Sequence, residues 1–304
     1  MPSDLLRLRR QLRHPDIAGV DIDADDLTID HCSLSSTPQC ICSLTYMLSQ
    51  RDMVNPGHRV LGRDIFYFPN FLTKEEEEYL VRKIRESPQP LWKRLGNRRL
   101  QIWGGDITAK GTLIVQPFPP FVNNFPDIIS RIRETGAFQH SPHQGPNHII
   151  MNEYLPGQGI MPHEDGPQYH PVVATISLGS HAVFNYYEYQ SETDTVAEPA
   201  SCGHGKSINT QPMVSVLLEP RSLIISSGEM YASHLHGIDA VEEDLIISNS
   251  SSGEGMAVAN FGHLQDEEIL ASIKTQTPLK RTVRYSLTCR DVERVSRLAT
   301  KSHR

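Results

Sequence analysis

The feature that most limits the fold lies in the second half of the chain. From about His148 onward it breaks into short β-rich runs: HIIMNEYL, PVVATISL, HAVFNYYEY, VSVLLEP, RSLIISS and TVRYSLTCR. Pro, Gly and Ser turns separate them. Two longer connections interrupt the series, Gln190–Gln211 and Asp239–Lys280, and the second contains a candidate helix, DEEILASIK. Ahead of the runs the pattern is mixed. Ile65-Phe66-Tyr67-Phe68 is strand-like, and Thr73-Lys74-Glu75-Glu76 has the spacing of a capping box. The helix behind that box carries Tyr79, Leu80 and Ile84 on one stripe and is expected to stop near Ser87-Pro88. A second helix is expected from Pro126 through Arg133, ended by Gly136. Helices followed by many short strands predict an α+β fold whose C-terminal half is an antiparallel sandwich or jelly roll. The expected organisation is a poorly ordered leader over 1–58, an N-terminal helical region over 59–140, the strand-rich domain over 141–296 with an insertion at 239–280, and a tail over 297–304.

Length and composition set outer bounds. At 304 residues the chain is one catalytic-size domain with appendages or two small domains. No apolar run approaches the roughly 20 residues needed to cross a bilayer, so no membrane partner is expected. The basic start, MPSDLLRLRRQLRHPD, lacks the apolar stretch of a secretory signal. A net charge of −7 and a pI near 6.0 exclude a general nucleic-acid coat protein, so any nucleic-acid contact must come from a local patch. The five cysteines, Cys32, Cys40, Cys42, Cys202 and Cys289, are odd in number and scattered, which fits a reducing compartment, cytoplasm or nucleus. His31, Cys32, Cys40 and Cys42 are four soft ligands close together, but Cys-x-Cys is a poor match to zinc-site spacing.

His-x-Asp occurs twice, at His14-Pro15-Asp16 and at His163-Glu164-Asp165. The first copy sits in the unpatterned leader. The second follows the turn in LPGQGIMPHED, within the strand-rich half. Residues two apart in an extended segment point the same way, so His163 and Asp165 can reach one ion. His236, in LHGI just after RSLIISS, is the candidate third ligand. Two imidazoles and a carboxylate suit non-heme Fe(II) with open positions, or a hydrolytic zinc; ordinary loop histidines are the bland alternative. The run RTVRYSLTCR places Arg284, Ser286, Thr288 and Arg290 at steps of two, with Val283, Tyr285, Leu287 and Cys289 on the other face. Two arginines and two hydroxyls on one face are expected beside an anionic ligand, against the alternative of a solvated outer face. Asn152 and Tyr154, also two apart, add an amide and a phenol. Together these groups suit a small dicarboxylate whose keto-acid end chelates the metal and whose far carboxylate meets an arginine.

Asn152-x-Tyr154, His163-x-Asp165, His236-Gly-Ile and Arg284-x-Ser286-x-Thr288-x-Arg290, in that order, resemble the AlkB-like Fe(II)/2-oxoglutarate dioxygenases. FLTKEEEEYL, RRLQIWGG, NEYLPGQGIMPHEDGPQYHP, ATISLGSH and LLEPRSLIISSGE carry the same similarity, over about 65–238 and 280–295. The resemblance implies a double-stranded β-helix, a jelly roll with N-terminal helices flanking the sheet and the metal at its mouth. It implies His163, Asp165 and His236 as iron ligands, and Fe(2+), 2-oxoglutarate and O2 as cofactor and cosubstrates. Arg284 would meet the far 2-oxoglutarate carboxylate, with Asn152, Tyr154 and Ser286 beside the cosubstrate and Arg290 near its iron-proximal end and Asp165. Many repair members carry Asn where this chain has Ser286, and the 239–280 insertion lengthens a connection that is normally short. Prolyl-hydroxylase-like relatives take their carboxylate anchor soon after the last His, whereas no Lys or Arg occurs here between His236 and Lys274.

The implied activity is oxidative demethylation of alkylated nucleic acid, releasing formaldehyde and succinate. The alternatives are the same chemistry on a protein, or a non-catalytic nucleic-acid-binding module. In AlkB-like enzymes the region before the jelly roll forms the nucleotide lid, which here would fall in 59–140. That region holds Trp92, Lys93, Arg94, Arg98, Arg99 and Trp103, basic and aromatic residues interleaved as a phosphate backbone and a stacked base would require. The opposing expectation is that the tryptophans pack in the core and the charges are merely solvated.

Overall fold

The computed structural model describes residues 58–60, 63–190, 207–247 and 255–296. The expected leader up to residue 57, the His31, Cys32, Cys40 and Cys42 group, and the 297–304 tail lie outside the described residues. The strands are β1 His58–Arg59, β2 Ile65–Phe68, β3 Lys93–Leu95, β4 Arg98–Trp103, β5 Gly105–Ile107, β6 Thr112–Val115, β7 His148–Tyr154, β8 Ile160–His163, β9 Tyr169–Leu178 and β10 Ala182–Tyr187. They continue as β11 Val214–Leu218, β12 Leu223–Ser227, β13 Leu235–Ile238, β14 Glu243–Asp244, β15 Ile246–Ile247, β16 Met256–Ala257, β17 Leu279–Lys280, β18 Arg284–Val292 and β19 Arg294–Ser296. The helices are α1 Lys74–Arg85, α2 Pro120–Asn123, α3 Ile128–Glu134, α4 Gly228–Ala232 and α5 Glu267–Thr275. No described helix is long and apolar enough to cross a membrane.

Two antiparallel sheets face each other. The larger runs β1-β2-β12-β9-β18-β7-β4-β3 and the smaller β11-β10-β13-β8. From β7 to β13 successive strands cross repeatedly between the sheets, the winding of a double-stranded β-helix. The strand-like runs of the sequence all appear, with β18 in the middle of the large sheet, paired to β7 and to β9.

Packing differs on the two sides of the large sheet. Its outer face is an apolar layer in which Met151, Ile176, Leu178, Ile225, Tyr285, Leu287 and Cys289 meet Leu80 and Ile84 of α1 and Ile128 and Ile132 of α3. Each such side chain, when fully buried, contributes about 1.5–3 kcal/mol. Between the sheets lies a second cluster that includes Ile65, Tyr67, Phe184, Tyr186, Val216 and Ile224. A third cluster covers the outer face of the small sheet. There Ile246, Val258, Leu264, Ile269 and Ile273, all from the 239–280 segment, pack on Val183 and Leu217. The β18 face bearing arginines is therefore no solvated surface: Arg284, Ser286 and Arg290 are 3%, 4% and 6% exposed.

Helix α1 is closed by the expected box. Thr73 Oγ1 accepts from the Glu76 amide at 3.2 Å, and Glu76 Oε2 accepts from the Thr73 amide at 2.8 Å. The second helix starts at Ile128 and not at Pro126, because Asp127 (φ 55°) forms the cap and its carboxylate accepts from Ser130 N. The candidate helix in the insertion is α5, capped by Asp266. Its entry is tied to the roll by Glu219, whose Oε1 accepts from the Gln265 and Asp266 amides at 2.7 and 2.6 Å.

Candidate functional site

His163 closes β8 and His236 lies in the neighbouring β13, where the two are direct antiparallel partners. Opposed residues of an antiparallel pair present their side chains to one face, and the two rings lie with centroids 4.5 Å apart. Asp165 follows two residues after His163. One ligand atom from each of the three lies within 4.8 Å of the others. The Nδ1 of His163 faces the Met161 carbonyl at 2.9 Å. A carbonyl only accepts, so Nδ1 carries a proton and Nε2 is the nitrogen left to face an ion. The His236 ring is fixed by stacking on Phe184 at 5.2 Å and 15°. Burial, the largest influence, holds His236 down at about 4, so its imidazole is neutral at pH 7. Burial would raise the Asp165 carboxyl, but the Arg290 guanidinium and then His236 and His163 bring it below its ordinary value.

The donor set fits a divalent metal. Asp165 Oδ1 accepts a short hydrogen bond from Arg290 Nη2, while Oδ2 is buried with no partner among the described residues. An unpaired buried carboxylate oxygen is costly unless a cation or proton meets it. Two imidazoles and one carboxylate would leave other positions of an ion open, the donor set that suits non-heme Fe(II).

The same strand supplies the anion site. Arg284 donates from Nη2 to Ser177 Oγ at 2.8 Å, and its Nε and Nη1 are buried without partners among the described residues. Burial pushes this guanidinium down to about 10. Arg290, six residues on, also has Nε and Nη1 without partners. Tyr154 is the register partner of Arg284 and Asn152 that of Ser286. The Arg284 guanidinium carbon lies 5.7 Å from the centre of the Tyr154 ring. Two buried cations with uncommitted donors, one beside the metal ligands and one further along the strand, suit a small dianion.

The expected basic and aromatic patch does not assemble. Lys93–Leu95 and Arg98–Trp103 form a hairpin, so successive side chains alternate between faces. Arg99 lies over the Trp92 ring at 4.0 Å and pairs in fork geometry with the buried Glu153, at 2.5 and 2.7 Å. Arg98 turns to the other face and donates to Asn152 Oδ1 at 3.1 Å. Lys93 lies 3.6 Å from Asp106. Trp103 is 5% exposed and packs edge-on against Phe121, with Nε1 bonded to Gln101. Trp103 is thus a core residue and no stacking platform, and of the four charges Arg94 and Lys93 are the exposed ones.

Several contributors escaped sequence reading. Ser177 holds Arg284, Phe184 holds His236, and Arg98 reaches Asn152 from the hairpin. His148 opens β7 opposite Arg290 and lies near Tyr169, with centroids 5.9 Å apart. Burial and then the Arg290 charge bring His148 to about 4. Inward alternation along β7, β9 and β10 is the signal that could have found Ser177 and Phe184 once the roll was assumed.

Residues 64–290 match the family model described as the 2OG-Fe(II) oxygenase superfamily. The chain is 35% identical over 237 residues to "Probable RNA/DNA demethylase ALKBH6" of Danio rerio, covering 77% of this chain and 87% of that protein. It is 24% identical over 250 residues to the Mus musculus "tRNA (carboxymethyluridine(34)-5-O)-methyltransferase ALKBH8", covering 79% of this chain and 32% of that protein. A solved structure of OsALKBH1 aligns over 77% of this chain and 100% of its own, at 15% identity and a TM-score of 0.46.

Proposed function

This chain belongs to the 2OG-Fe(II) oxygenase superfamily, and from that premise we propose that it oxidatively demethylates alkylated nucleic acid, with His163, Asp165 and His236 holding Fe(II) and Arg284 anchoring the far carboxylate of 2-oxoglutarate. The observation that carries this reading is the pair of buried arginines on β18. One is bonded to the candidate ligand Asp165, and the other, Arg284, has donors without a partner among the described residues. The substrate class is supported by the zebrafish relative, named "Probable RNA/DNA demethylase ALKBH6".

Bound Fe(II) supplies the dioxygen chemistry, coupled to decarboxylation of 2-oxoglutarate to succinate. The residues of this chain orient and shield. The Met161 carbonyl takes the Nδ1 side of His163 and leaves Nε2 to face the metal, and burial keeps the His236 imidazole neutral. Arg290 keeps Asp165 ionised and in place, so the carboxylate cannot swing away when the site is empty. Tyr154, Asn152 and Ser286, all buried, complete the polar lining between the two arginines and limit the access of bulk water to it. Hydroxylation of an N-methyl group gives a hemiaminal, which releases formaldehyde and the free amine.

One observation keeps a second reading, the same chemistry on a protein: the patch expected to grip a phosphate backbone is broken up by Glu153, Asn152 and the core. A product screen separates the two. The full chain with Fe(II), 2-oxoglutarate and ascorbate is incubated with N-methylated RNA, DNA and peptides, and products are read by mass spectrometry. Demethylated oligonucleotide with formaldehyde is expected. Succinate formation coupled only to a modified peptide would sink the nucleic-acid reading.

A further inference from the structure

A second buried charge cluster lies beyond Arg284, and the inserted segment builds it. Asp244, in β14, is 7% exposed. Its carboxylate accepts from Arg281 Nε and Nη2 at 2.7 and 2.8 Å and from His181 Nε2 at 3.0 Å. Arg281 commits Nη1 as well, to the Asp239 carbonyl at 2.8 Å. Each guanidinium nitrogen of Arg281 therefore already has an acceptor, unlike Nε and Nη1 of Arg284. His181 sits at the mouth of β10, just before Ala182, whose small side chain shares a face with Phe184 and Tyr186. Tyr154, His181, Ala182, Ile238, Arg281 and Arg284 are among the residues lining one small cavity of about 10 Å³, which opens to solvent on the side of Leu155 and Thr282.

We propose that His181, pinned by Asp244, is the end wall of the cosubstrate pocket, a positioning residue that makes the site select a five-carbon 2-oxo dicarboxylate over its six-carbon homologue. This rests on the reading of Arg284 as the carboxylate anchor. A longer diacid bound to the same metal must push its far carboxylate, and Arg284 with it, into the cavity behind. Close-packed interiors do not yield to an added methylene without displacing a neighbour. Here the neighbour is an imidazole held by a buried carboxylate that two further hydrogen bonds hold in turn. The segment between the last candidate ligand and β18 thus supplies, through Asp244, a determinant of cosubstrate length.

The test is calorimetric titration of the full chain, loaded with Mn(II), with 2-oxoglutarate and with 2-oxoadipate. The wild type should favour 2-oxoglutarate by about 10–200-fold, the usual discrimination of one methylene. In His181→Ala that ratio should fall by about tenfold or more, through tighter 2-oxoadipate binding. Asp244 keeps both Arg281 bonds in this variant, so the fold should survive. Should it not, His181→Asn removes the ring yet leaves an amide for Asp244, and the same drop in ratio is expected. A folded variant with the wild-type ratio overturns the end-wall assignment. Arg284→Ala is the separate control: it should lose both acids, and if it keeps 2-oxoglutarate affinity the anchor reading itself fails, whatever His181 shows.

Discussion

Replacing Arg284 with Met should stabilise the protein in the absence of cosubstrate and abolish cosubstrate binding. Burial brings the guanidinium from 12.5 to about 10. At about 1.4 kcal/mol per pH unit, that is a desolvation cost on the order of 3 kcal/mol. The protein offsets part of it with the Ser177 hydrogen bond and the Tyr154 ring, together worth about 1–2 kcal/mol. Met fills a similar volume without charge and forgoes those two contacts. The net gain is about 1–2 kcal/mol, or roughly 2–8 °C in melting temperature for a domain of this size. Because a cation with a depressed value is destabilising throughout the range where it is protonated, the gain should be flat across neutral pH. Thermal and urea unfolding of the Mn(II)-loaded chain, with and without 2-oxoglutarate, measures this. At about 100 Kd of ligand the wild type gains about 2.7 kcal/mol and the variant none, so their order should reverse. A variant less stable than wild type without ligand would show that the guanidinium is already compensated, and the buried-donor reasoning would be wrong.

Three further outcomes are expected. His163→Ala and Asp165→Ala should both lose metal by elemental analysis, but only Asp165→Ala strands Arg290 without its carboxylate, at a cost of about 3–5 kcal/mol in urea unfolding; equal stabilities would mean the pair is not coupled. Neutralising Lys93 and Arg94 together should lower oligonucleotide affinity and reduce the salt slope by about 2, with unfolding unchanged; an unchanged slope would place the strand elsewhere on the surface. Burial raises the Asp244 carboxyl, yet His181 and Arg281 outweigh it and hold the group below 3.8. Its stabilisation is present above that value and lost as pH falls through the folded one, so the deficit of Asp244→Asn should shrink below about pH 4; a constant deficit down to about pH 2 would contradict the pairing.

The strands were readable because each is short, apolar on at least one face and closed by turn residues, and period two carried the pairing of Arg284 with Arg290 and of Asn152 with Tyr154. Alternation along TVRYSLTCR separated the two faces correctly. It could not say that both are buried, since that depends on α1 and α3 covering the outside of the sheet. The patch misled for a related reason. Leu95-Gly96-Asn97-Arg98 is a hairpin turn, and once the chain folds back, neighbouring charges must part: Arg99 to Glu153, Arg98 to Asn152. Trp103 follows the same alternation into the core. The helix in the insertion was visible from DEEILASIK. What it covers was not, because its partners Val183 and Leu217 are some fifty to ninety residues away in sequence.

That cover has an evolutionary consequence. Val183 and Leu217 point away from the interior of the roll and would lie bare without Ile269, Ile273 and their neighbours. Asn260 also pairs its side-chain amide with both the N–H and the C=O of Leu217, on the edge strand β11, in place of another strand. A relative with the short connection should therefore carry polar residues at the positions of Val183 and Leu217 and some other guard for that edge. Loop length and the polarity of a distant sheet face are then inherited as one character, and a lineage cannot shed the segment residue by residue without passing through a form prone to self-association.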